Sequence, residues 1–167
     1  GDLNSARKNL DGVLKVVAAV PALHVAVAGG GDARAHVELG RRLGIGARLH
    51  WLGFRTDMPA IMRAADLVIF PSRYEPCGLV LLEALASGVP VVTSRNVGGS
   101  ELIGPEVGIV VEDCDDVDAL SHAVGSLLGD GAARAAMGVR ARALAETLSW
   151  SGTAGRYVDL MVQAAHG

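Results

Sequence analysis

Apolar positions along the chain change rhythm from element to element. Leu10, Val13, Leu14, Val17 and Val20 recur at helical spacing and Pro21 follows, which predicts a first helix over Leu10 to Val20. Leu23 to Gly29 (LHVAVAG) is a β-branched run that predicts a strand; Gly29, Gly30 and Gly31 then turn the chain, and Asp32 is placed as N-cap of a helix running through Leu43. Arg48 to Gly53 (RLHWLG) reads as extended, and after Asp57 and Pro59 a short helix carries Met58, Ile61, Met62 and Ala65 inward. Leu67 to Phe70 is the next strand, followed by a loop with Pro71, Glu75, Pro76 and Gly78 and a helix from Leu79 to Ala86, closed by Gly88 with Pro90 beyond it. Val89 to Thr93 and Gly108 to Glu112 are further strands, separated by a polar loop with Gly98, Gly99 and Ser100 and a turn at Glu101 to Ile103. The rest reads as helical: Asp115, Asp116 and Asp118 at an N-terminus ahead of Val117, Leu120, Val124 and Leu127, a second helix over Ala132 to Thr147, and a last one from Trp150 capped by Ser149.

Strands alternating with helices through short loops predict an α/β fold with a doubly wound, Rossmann-like parallel sheet, because parallel neighbours need crossovers and the crossover helices cover both faces. Ligands in such sheets bind beyond the carboxyl ends of the strands. No strand precedes the turn at Gly1 to Leu3, so the expectation is one domain spanning 1–167 that begins after the first strand of a larger protein.

Composition narrows the classes. A chain of 167 residues supports one core, and 50% hydrophobic with only 4% aromatic residues suits a sheet buried under helices better than a sandwich. The net charge of −3 argues against nucleic acid, which selects a basic face. Cys77 and Cys114 lack the spacing of a zinc site and read as reduced thiols, as in the cytoplasm. No apolar run approaches the roughly 20 residues of a transmembrane helix.

The candidate chemistry is concentrated in one stretch. Gly29, Gly30, Gly31 and Asp32 join a strand to a helix, yet Arg34 stands where G-x-G-x-x-G needs its third glycine, so a tight turn is favoured over dinucleotide binding. His24, His36, His50, His122 and His166 are scattered, and no G-x-S-x-G elbow is present, which leaves neither a metal site nor a hydrolase nucleophile. Glu75 lies on a loop at the carboxyl end of a strand, just before a helix whose free amides favour an anion. Glu83 falls in the second turn of that helix among Leu79, Val80, Leu82, Ala84 and Ala86. Burial there would cost several kcal/mol unless a sugar diol, an arginine or backbone amides satisfied it. The spacing leaves a ligand site and a structural pair both open.

The E-x7-E pattern from Glu75 to Glu83, inside EPCGLVLLEALASGVPVV, resembles the signature of retaining glycosyltransferases of the GT-B fold. The likeness extends to RKN at Arg7 to Asn9, HWLGF at His50 to Phe54, AADLVIFPS before Glu75, VGGSELI after Glu83 and Trp150 at the last helix. It implies the carboxyl-terminal, donor-binding half of a two-domain enzyme that moves a hexose from a nucleoside diphosphate sugar. Implied with it are Glu83 on the ribose and Glu75 on the donor sugar. Backbone amides of Cys77, Gly78 and Leu79 would meet the diphosphate and sugar, Lys8 the departing diphosphate, and main-chain atoms near Phe54 and Arg55 the base. No cofactor or metal is implied besides the donor substrate. The implied partners are the donor, an acceptor and the protein's own amino-terminal domain, in a cytoplasmic protein whose peripheral membrane placement stays open. Asp2 stands where family members commonly carry an arginine diphosphate clamp, with Arg7 as the available compensation, and Cys77 replaces a frequent phenylalanine. Asp2 keeps a non-catalytic nucleotide-sugar-binding module as an alternative, beside a GT-B epimerase and, from the glycines alone, an NAD oxidoreductase.

Overall fold

The computed structural model describes residues 1–166, with the side chain of His166 outside that description. In chain order its elements are α1 (Leu10–Ala19), β1 (Val25–Ala28), α2 (Arg34–Arg42), β2 (Leu49–Gly53), α3 (Met58–Arg63), β3 (Val68–Phe70), α4 (Leu79–Ala86), β4 (Val91–Ser94), β5 (Gly108–Val111), α5 (Val117–Gly129), α6 (Gly131–Thr147) and α7 (Trp150–His166). Single 3-10 turns lie at Ala6–Lys8, Gly46–Arg48 and Ser100–Leu102.

Every strand pairing is parallel, as the alternation requires, but the strands form two sets: β1 with β2, and β3-β4-β5 in that order. Residues 1 to 3 run beside the carboxyl end of β1, the Gly1 amine donating to the Ala28 carbonyl at 2.9 Å and the amides of Gly30 and Leu3 completing the ladder. Gly29 is required by this contact. A Cβ on Gly29 would stand 2.1 Å from the Gly1 carbonyl oxygen, and the amides of Gly29, Gly30 and Asp32 are already given to Gly53, Gly1 and Asn4. Those three amides are therefore unavailable to a phosphate.

Two apolar clusters sandwich the strands. Leu14, Val16 and Val17 of α1 meet Leu120, Val124 and Leu127 of α5 on Val92 and Val111, and this cluster reaches Ile45 and Leu49, so one core spans both strand sets. On the other side Leu81, Ala84 and Leu85 of α4 pack with Met62, Val91 and Ala141. Val91 and Val92 are successive, hence on opposite faces of β4, and both are 0% exposed, which makes β4 the doubly covered centre. In α3 only Met62 is buried, and Ala65 lies past the helix end in solvent.

Several terminators behave as their residue types dictate. The Asp116 side chain accepts the Ala119 amide at the start of α5, and Ser149 Oγ accepts the Gly152 amide at α7. Asp32 sits one residue ahead of the α2 cap position, where its carboxylate accepts the Arg34 amide as a turn and pairs with the Arg34 guanidinium. Gly125, inside α5, has nothing within 4 Å of an added Cβ. Gly125→Ala is expected to raise stability by about 0.5–1 kcal/mol in a urea melt, through helix entropy alone. Among the described residues no helix is long and apolar enough to cross a membrane.

Candidate functional site

Lys8 closes the Ala6–Lys8 turn, and its Nζ donates to Glu75 Oε2 while lying 5.2 Å from the centroid of the Phe70 ring. Their side chains are 29% and 19% exposed, so the pair is partly shielded from water yet open on one side. The Glu75 carboxyl is held below its ordinary range first by the Lys8 hydrogen bond, and further by Lys8's charge and the amides of Gly78 and Cys77; its partial burial opposes them. Glu75 is therefore ionised at neutral pH.

The loop carrying Glu75 is clamped from behind. The Glu75 amide donates to the Asn96 carbonyl at 3.2 Å and the Gly98 amide donates to the Glu75 carbonyl at 2.6 Å. A Cβ on Gly78 would lie 1.9 Å from the Gly98 carbonyl oxygen, and one on Gly98 would lie 1.9 Å from that of Pro76, so two glycines allow these loops to touch. Gly78 also takes φ 59° as N-cap of α4 and offers no side-chain cap, which leaves donors of the first turn open beside Glu75. Leu79 (54% exposed) and Cys77 lie open at this end, and Tyr74 is also exposed.

Lys8, Glu75, Cys77, Gly78 and Leu79 thus come together at the carboxyl ends of the strands. Glu83 is placed differently from the sequence expectation. It is exposed, on the same side of α4 as Leu79 and Ala86, while Leu81, Ala84 and Leu85 form the buried stripe. Its charge is solvated and no burial penalty arises. Glu83→Ala is accordingly expected to change stability by no more than about 0.5 kcal/mol in denaturant melts, and any loss of nucleotide affinity it causes reports a direct contact.

Phe54, 79% exposed, and Arg55 lie in the loop after β2, the Arg55 guanidinium paired with Asp57. Arg7 gives its carbonyl to Ser72 Oγ and the Arg73 amide, and its guanidinium forms no ion pair among the described residues. The Asp2 carboxylate accepts the Asn4 amide at 3.0 Å. Neither cysteine is in a disulfide; Cys114 is buried, and that burial pushes its thiol up. A surface hollow of about 550 Å³ lies elsewhere, near Val89 and Pro90 at the amino end of β4. Two of its three lining arginines are engaged, Arg142 with the Ala86 carbonyl and Arg134 with Asp66 and the Leu127 carbonyl.

Sequence reasoning missed Asn9. It is 0% exposed, the sole non-glycine residue at positive φ (54°) among the described residues, and its side chain accepts the Gly12 amide and donates to the Cys114 carbonyl at 2.6 Å. An asparagine directly before an apolar-periodic run is an N-cap signal that could have found it.

Residues 3–144 match the family described as glycosyl transferases group 1. The chain belongs to the glycosyl transferases group 1 family. It is 39% identical over 130 residues to the D-inositol 3-phosphate glycosyltransferase of Salinispora tropica, covering 77% of this chain and 27% of that protein. It is 36% identical over 160 residues to the GDP-mannose-dependent monoacylated alpha-(1-6)-phosphatidylinositol monomannoside mannosyltransferase of Corynebacterium glutamicum, covering 87% of this chain and 41% of that protein. The chain therefore spans well under half the length of these curated relatives. Among solved structures it is similar to the sucrose-phosphate synthase of Thermosynechococcus elongatus (TM-score 0.84, 29% identity, 97% of this chain and 43% of that one). It is also similar to Anabaena HepE in complex with UDP-glucose (TM-score 0.83, 25% identity, 96% and 46%). This group 1 chain has the α/β fold of GT-B glycosyltransferases, with Lys8 and Glu75 facing each other where its strands end.

Proposed function

We propose that the chain is the nucleoside diphosphate sugar-binding domain of a retaining hexosyltransferase. The observation that carries this reading is the Lys8–Glu75 pair at the N-terminus of α4, where a cation and an anion share one mouth with the amides of Cys77 and Gly78 that face Glu75. In the resting site Lys8 and Glu75 neutralise each other. A diphosphate entering between Lys8 and the amides of Cys77, Gly78 and Leu79 takes the cation for itself. Glu75 is then free to hold hydroxyls of the sugar, and Lys8 stabilises the charge that grows on the departing diphosphate, the larger electrostatic contribution in such transfers. Glu83, exposed one turn along α4 from Leu79, meets the ribose diol, and the main chain at Phe54 and Arg55 borders the base. Arg7, with its unpaired guanidinium, supplies the second phosphate contact.

The chain covers 27% and 41% of the two curated relatives above, and the acceptor site is assigned to the remainder of the whole protein. HepE was solved with UDP-glucose and the mannosyltransferase relative is named for GDP-mannose, so the panel that tests donor binding contains UDP-, GDP- and ADP-sugars titrated calorimetrically into the chain. Binding of one of them, with no transfer to acceptor by the chain alone, is expected; binding of none would end this reading. Retention is read from the anomeric configuration of the product made by the whole protein.

A non-catalytic binding module is the second reading, and Asp2 is the observation behind it. A carboxylate near a diphosphate is repulsive, although in this chain it is turned to the Asn4 amide. Asp2→Arg in the whole protein discriminates: transfer that appears only in the variant supports the module, and transfer already present in the parent rules it out.

A further inference from the structure

The turn that carries Lys8 buries none of its own three residues, so its position is imposed from outside. Two groups of contacts impose it. Ser72 Oγ and the Arg73 amide both donate to the Arg7 carbonyl, at 2.6 and 2.7 Å, and Arg73 Nη1 donates to the Ala6 carbonyl at 2.8 Å. The Arg73 guanidinium is itself aimed by Asp115, which accepts Nη2 at 2.6 Å and Nε at 3.2 Å in a bidentate pair. Asp115 is seated in turn by its amide on Asp113 Oδ1 at 2.8 Å. On the far side of Lys8, buried Asn9 ties the chain to the Cys114 carbonyl of the same loop.

We propose that Arg73 and Asp115 are positioning residues that hold the Ala6–Lys8 turn so that the Lys8 ammonium meets Glu75 and, under the donor reading above, the diphosphate. The pair lies outside the mouth, and its side chains are 39% and 53% exposed. An exposed pair of this kind adds little to global stability, so its loss moves the turn without unfolding the chain. The loop after β5 thus reaches the Lys8 turn by two routes, the Arg73 guanidinium and the Asn9 bond to Cys114, and the first is the exposed one.

The test reads Glu75 itself, by side-chain carboxyl carbon NMR across a pH titration of the chain and its variants. Lys8→Ala sets the upper limit, since Lys8 is the main cause of the depressed Glu75 titration. Asp115→Asn and Arg73→Ala are expected to move the Glu75 midpoint up toward that limit, Arg73→Lys to restore part of the shift, and Arg95→Ala, which breaks the exposed Arg95–Glu112 pair, to leave it unchanged. The direction in Asp115→Asn is decisive. Removing a negative charge through space alone would lower the Glu75 midpoint, whereas a displaced Lys8 raises it. An unmoved or lowered midpoint in Asp115→Asn overturns the proposal. The same variants are titrated with UDP, GDP and ADP, and affinity for whichever binds the parent is expected to fall about tenfold, the loss of a well-placed charge-assisted bond. If none of the three binds the parent while the Glu75 midpoints move as expected, the donor reading fails and the positioning role stands.

Discussion

Lys8→Ala is expected to weaken binding of the nucleoside diphosphate by about 1.5–3 kcal/mol, the scale of a hydrogen bond to a charged group, while affinity for the bare nucleoside stays the same. Lys8 is the ammonium beside the α4 N-terminus, held there by Glu75 and stacked toward Phe70. The variant also carries a pH signature. Glu75 titrates below its ordinary range in the folded chain, so its pairing contributes stability that is fully present above the unfolded carboxylate pKa and is lost as pH falls through the depressed folded value. Parent and Lys8→Ala should therefore differ in denaturant stability at neutral pH and converge in acid. A difference that persisted or widened in acid would show that Lys8 acts through packing rather than through the Glu75 charge.

Gly78→Ala is expected to be the most damaging single substitution in the mouth. Two penalties combine there: φ 59° disfavours any β-carbon by about 1–2 kcal/mol, and the added carbon would lie 1.9 Å from the Gly98 carbonyl oxygen, which is backbone and cannot swing aside. A destabilisation of about 2–4 kcal/mol follows, or roughly 5–15 °C in Tm at this chain size, together with loss of nucleotide binding as the Glu75 loop shifts. Gly99→Ala is the internal comparison. It has φ 82° but its nearest neighbour is 3.7 Å away, so only the conformational penalty of about 1–2 kcal/mol applies. Equal effects at the two positions would show that the contact between the loops is not what holds Glu75.

The helices and strands were legible because each carries its own period, and caps such as Asp116 and Ser149 act within three residues of themselves. How the strands divide into two sets was not legible, since pairing is a property of partners distant in sequence and the apolar runs of β1 and β3 look alike. Glu83 shows the limit of local reading in another way. Nearly all of α4 is apolar, so sequence alone gave the stretch no phase, and only the packing of Leu81, Ala84 and Leu85 on β4 and α6 decides that Glu83 faces outward. Glu75 was singled out by its place on the loop before α4 and Lys8 only through resemblance to a known pattern; their contact spans 67 positions and no spacing rule predicts it. The Arg73–Asp115 pair spans 42 and left no signal at all.

The central claim is that a diphosphate sits between Lys8 and the first turn of α4. A crystal structure of the chain with the tightest-binding nucleotide sugar of the UDP, GDP and ADP panel tests it most directly. The account predicts diphosphate oxygens within hydrogen-bond distance of Lys8 Nζ and of amides among Cys77, Gly78 and Leu79, with the Lys8–Glu75 contact opened. A nucleotide sugar seated elsewhere, with that contact intact, would contradict it.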